Sequence, residues 1–98
     1  MNQPTTSKPM LFALGDLVAT PGALKVLENN GVIPLRLISR HMHGDWGDVH
    51  PDDAKANSDA LRVGARLLSS YSLPDGERIW IITDAGRSNT TVLLPSEY

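Results

Sequence analysis

The segment Leu73-Pro74-Asp75-Gly76-Glu77 constrains this chain more than any other, because it joins two β-rich runs with the residues that a tight turn needs. Pro74 presets φ, the Asp75 side chain bonds nearby backbone, and Gly76 takes positive φ at little cost, so the flanking runs are predicted to form a β-hairpin. The turn sets the register. With Tyr71 opposite Ile79, Ser69 meets Ile81 and Leu67 meets Thr83 on one face, while Leu68, Ser70, Trp80 and Ile82 share the other. A third strand, Thr90 to Leu94, follows the loop Asp84 to Asn89 and pairs Ile81 with Val92, which adds Val92 and Leu94 to the first face. Helices are expected on that face. The second face is too apolar to stay wet, so the N-terminal strand and its loop, a helix, or a second copy of the chain should cover it.

Three helices are predicted ahead of the hairpin. Thr20-Pro21 supplies an N-cap and a first-turn proline, and the helix runs from about Pro21 to Asn30 with Ala23, Leu24 and Leu27 on one face and Asn30-Gly31 as its stop. Pro34 opens a second helix whose apolar positions are Leu35, Ile38 and Met42, ending at Gly44. Asp52-Asp53 opens a third, favoured by the helix dipole, with Ala54, Ala60 and Leu61 inward and Gly64 as the stop. The apolar run Met10 to Leu14 suits a short N-terminal strand. The fold class is therefore α+β: two or three helices, then a three-stranded antiparallel meander, with room for that extra strand. Residues 1–9 form a polar, flexible arm, and 10–98 a single domain.

Composition narrows the function. With 98 residues, folding buries roughly two thirds of the unfolded surface, enough for one core. No cysteine is present, so neither a disulfide nor a thiolate zinc site forms. The net charge of −2 does not favour nucleic acid, which needs clustered Lys and Arg. No run is long and apolar enough for a signal-peptide core or a bilayer span, so a soluble cytoplasmic protein without membrane contact is expected.

Arg40 to His50 gathers all three histidines, His41, His43 and His50, with Asp45, Asp48 and Trp46, between glycines that let the backbone turn sharply. Arg40, His41, His43, Asp45, Trp46, Asp48 and His50 are the candidate binding residues. On a helix His41 and His43 point about 200° apart, so no metal site is expected; no cofactor motif is present either. The structural alternative has the same residues satisfying backbone groups and packing on the core edge. A catalytic alternative is a metal-independent RNase: His41 or His43 as general acid or base, Arg66 for the phosphate, Ser70 or Thr91 as positioning hydroxyl.

Arg40-His41, Gly44-Asp45-Trp46-Gly47, Arg66 to Tyr71, Ile79-Trp80-Ile81-Ile82-Thr83 and Thr90-Thr91-Val92-Leu93-Leu94-Pro95 together resemble a family of small plasmid-related proteins of bacterial mobile elements. Members often carry the label of a type I restriction methylation subunit, but this chain is too short for a methyltransferase and lacks the glycine loop of a cofactor fold. The resemblance implies a mobile-element setting, in which small acidic proteins inhibit or modulate host systems. A non-catalytic binding or regulatory protein, with a protein partner and a possible homodimer, is the expectation.

Overall fold

The computed structural model describes residues 9–98, so the expected arm lies, except for Pro9, outside the described residues. The elements run β1 (Asp16–Ala19), α1 (Pro21–Asn29), α2 (Pro34–Met42), α3 (Pro51–Val63), β2 (Leu67–Ser72), β3 (Arg78–Thr83), β4 (Asn89–Leu93), then a 3-10 turn, Pro95–Glu97. The class is α+β. The meander β2-β3-β4 forms in the predicted register, with Tyr71 opposite Ile79, Ser69 opposite Ile81 and Ile81 opposite Val92.

The sheet nevertheless has four strands, in the order β1-β4-β3-β2, because β1 adds in parallel to β4. The expected strand over Met10 to Leu14 is displaced to Asp16–Ala19. Gly15, at φ +66, lets the chain cross so close to the Ser88 carbonyl that a Cβ would overlap it, and strand pairing begins at the next residue. The apolar run before it packs as a lid, held by Leu11 N–H donating to the Met42 carbonyl at 2.9 Å and by the Phe12 ring against His41.

Local signals explain the helix limits. Thr20 caps α1 by accepting the Ala23 N–H at 3.0 Å, and Gly31 takes the left-handed conformation beyond its end. At the end of α2, Asp45 N–H reaches back to the Arg40 carbonyl and Gly44 N–H to His41, the paired bonds of a Schellman stop, with Gly44 at φ +85. His50, rather than Asp52, caps α3: its ring Nδ1 accepts the Asp52 N–H at 3.1 Å. The inward faces differ in part from expectation. Leu24 and Leu35 are exposed, Leu35 to 63%, while α2 buries Leu37, Ile38 and His41. Hydropathy places a histidine outside; here two hydroxyls on the sheet make it a core residue.

The core lies between α1, α2 and the inner sheet face, where Ala23, Leu27, Leu37 and Ile38 meet Tyr71, Ile79, Ile81 and Val92. The chain itself covers much of the outer face, where Ile82 and Leu93 are buried and the Trp80 ring meets Tyr98 edge-on at 5.6 Å.

β2 is an edge strand, and its open side is sealed twice. Asn57 of α3 donates to the Leu68 carbonyl at 2.7 Å and accepts the Leu68 N–H at 3.0 Å. Two residues along, Ser70 donates to the Trp46 carbonyl at 3.0 Å and accepts from Asp48 N–H at 2.7 Å, so Gly47 pairs with it as a one-residue parallel bridge. Sealing an edge removes a template for aggregation. Gly47 sits at φ +72, and a Cβ there would overlap the Ser70 carbonyl. Gly47→Ala should therefore cost about 3 kcal/mol or more, strain plus collision. Gly76→Ala, at φ +89 in open space, should cost only about 1–2 kcal/mol. Chemical denaturation of both variants measures the difference, and equal losses would contradict the bridge.

Candidate functional site

The histidine segment splits between two places. His41 is wholly buried, at 0% exposure, on the inner side of the sheet. Its Nδ1 lies 2.6 Å from Ser69 Oγ and its Nε2 2.9 Å from Thr83 Oγ1. Thr83 Oγ1 is 2.7 Å from Thr90 Oγ1, whose hydroxyl donates to the Leu14 carbonyl at 2.7 Å.

Proton counting orients this chain. Thr90 spends its only proton on Leu14, so Thr83 must donate to Thr90, and Thr83 oxygen then accepts from His41 Nε2–H. His41 is thus assigned as the neutral Nε2–H tautomer, with Ser69 donating to Nδ1. Both ring nitrogens are spent. Burial, with the Arg87 charge second, pushes the His41 pKa down to about 4. Phe12 and Trp46 enclose the ring with centroids at 5.2 and 5.8 Å.

The neighbouring residues build the wall of that core. Asp45 accepts two bonds from the Arg40 guanidinium, at 2.7 and 3.2 Å, and the Gly47 N–H at 3.2 Å. The same guanidinium lies 4.6 Å above the Tyr71 ring, and the Tyr71 hydroxyl donates to the Asp45 carbonyl at 2.7 Å. The hydrogen bond to Asp45 raises the Arg40 pKa, and burial pushes the Tyr71 hydroxyl up to about 12. His43 Nδ1–H donates to the Ser39 carbonyl at 2.7 Å.

Beyond Gly47 the chain crosses to the outer face, and Asp48 and His50 line a cavity of about 290 Å³ there. Leu68, Ser70, Arg78 and Trp80 form its floor, Val49 and Asp53 one side, and Pro95 another. Ser70, only 5% exposed, accepts from the Arg78 guanidinium at 3.1 Å, and Asp48 accepts from the Ser72 hydroxyl at 2.7 Å. Asp53 has no side-chain partner among the described residues.

The residues of the RNase alternative are not brought together. Ser70 and Thr91 alternate with inward residues and so face the opposite side of the sheet from His41. Arg66 is engaged by Tyr98, donating to its hydroxyl and lying 5.4 Å from its ring. Of the predicted binding residues, only Asp48 and His50 reach the cavity. Among the described residues no three His, Asp or Glu side chains converge as a metal site. Asp53, Arg78 and Trp80 were not legible as a group, because two segments distant in sequence, α3 and β3, supply them; the excess apolarity of the outer face was the available signal.

No family model, curated protein or solved structure matches the chain.

A histidine whose pKa is lowered on folding binds fewer protons folded than unfolded between pH 4 and 6.5, so its contribution is full above 6.5 and is lost as pH falls toward 4. The loss amounts to about 3 kcal/mol. His41→Gln should be less stable at pH 7 by about 1–3 kcal/mol. Its stability should also fall less steeply than the wild type's between pH 6.5 and 4. Urea titrations across that range test both, and parallel pH profiles would contradict the assignment.

Proposed function

We propose that this chain is a small non-catalytic binding module of a mobile-element system, and that it engages a protein partner through the outer-face cavity. The observation that supports this is a contrast in hydrogen-bonding capacity. Every polar atom of the His41 chain is spent internally, so it has nothing to offer a substrate. The cavity instead sets an indole, a guanidinium and two carboxylates around open space, on a floor anchored to a rigid sheet. Convergent polar groups on an apolar floor are the usual make-up of a recognition site. A regulator needs no more than that. The mobile-element setting rests on the resemblance of the quoted motifs, and fits a modulator of a host protein.

Two surface variants separate this site from the rest of the histidine segment. Asp53→Lys reverses a cavity charge, whereas His43→Ala alters the segment outside the cavity. Co-purification from a bacterial host, followed by affinity measurement on the recovered partner, should show binding weakened roughly tenfold or more by Asp53→Lys and little changed by His43→Ala. The opposite pattern, or RNA cleavage by the purified protein that His43→Ala abolishes, would overturn the proposal.

A further inference from the structure

We infer that the outer-face cavity takes an alkylguanidinium, presented as an arginine side chain of the partner; the inference rests on the binding reading above and names its ligand chemistry. Charge complementarity comes first. Asp48 and Asp53 bring two negative charges to the cavity and Arg78 one positive. Among these fixed charges the formal balance is one negative charge. Arg78 is also tethered, donating to the buried Ser70 hydroxyl at 3.1 Å. A cation is therefore favoured over a phosphate or carboxylate.

Shape and surface narrow the cation. The cavity, at about 290 Å³, is at the low end of small-molecule sites and suits one long side chain better than a nucleotide. Leu68 and Pro95 offer apolar walls to a methylene stem, and Trp80 lines the cavity with an indole, the ring that attracts a planar cation most strongly. A guanidinium can stack on that face and donate in parallel to a carboxylate, which a lysine ammonium cannot do.

The chain already contains this arrangement once. Arg40 lies 4.6 Å above the Tyr71 ring while Asp45 takes two of its N–H groups, at 2.7 and 3.2 Å. The outer cavity repeats the carboxylate and the aromatic ring, while its own guanidinium, on Arg78, is engaged by the Ser70 hydroxyl.

The test is a titration of the whole protein, followed by two-dimensional NMR, with four probes: N-acetyl-arginine N-methylamide, its lysine counterpart, agmatine and inorganic phosphate. The blocked arginine should shift the Trp80 indole N–H and the Ser70 and Asp53 amides, leaving the Phe12 and Trp46 signals in place. Asp53→Asn, an exposed first-turn change, should weaken it several-fold with only a small loss of thermal stability from the helix dipole; Asp48→Asn gives a second reading. Binding by agmatine but not by the blocked arginine would overturn presentation by a polypeptide. Shifts with phosphate alone, equal lysine binding, or no shift with any probe would overturn the guanidinium assignment. A partner that still depends on Asp53 in the co-purification assay would then leave the cavity as the binding site. Arginine binding with a partner indifferent to Asp53 would instead remove the proposed function and keep the ligand.

Discussion

A neutral imidazole bonded at both nitrogens ties the two layers of this fold together. His41 is the point at which α2, β2 and β3 meet through hydrogen bonds rather than apolar contact alone, and the hydroxyl chain continues to β4 and the Leu14 carbonyl. Apolar packing tolerates sliding, but a donor and an acceptor that must each meet a partner do not, so this chain fixes where α2 sits on the sheet. Phe12 and Trp46 close over the ring, and Arg87 crosses above Phe12 at 5.6 Å. Arg87 adopts φ 63, rare outside glycine, while its guanidinium donates to the Ala60 and Ala65 carbonyls at the end of α3. Those bonds help offset the backbone strain and tie the β3–β4 loop to α3.

With α2 fixed, the end of that helix delivers the chain to the edge of β2. Gly44 turns it, Asp45 and Arg40 stiffen it, and Gly47 lets it touch Ser70. The same step that seals the edge carries Asp48 and His50 around to the outer face. The cavity is therefore a product of the seal: its sequence-local wall exists because the strand edge needed a partner. A core residue of one face in this way positions a recognition surface on the other.

The meander was legible because its two signals agree. A Pro-Asp-Gly turn fixes register, and alternation assigns each side chain a face, so Leu67 to Leu94 could be read residue by residue. The α2 face was not legible, since a core histidine looks polar until Ser69 and Thr83 are seen beneath it. β1 escaped for a different reason: Asp16–Ala19 is four residues long and lacks alternation, and its parallel partner lies more than seventy positions away. Within the candidate site, Asp48 and His50 were in view from their motif. Asp53, Arg78 and Trp80 were not, because only the tertiary fold brings them together.

The ring nitrogens of His41 test most directly whether it is a closed structural link and not a site of chemistry. Long-range ¹H–¹⁵N spectra of the three histidines across a pH series report tautomer and protonation separately. His41 should stay a neutral Nε2–H ring, without titrating, from pH 7 down toward about 4. A His41 ring that titrates near its ordinary 6.5, or that carries its proton on Nδ1 at neutral pH, would contradict it.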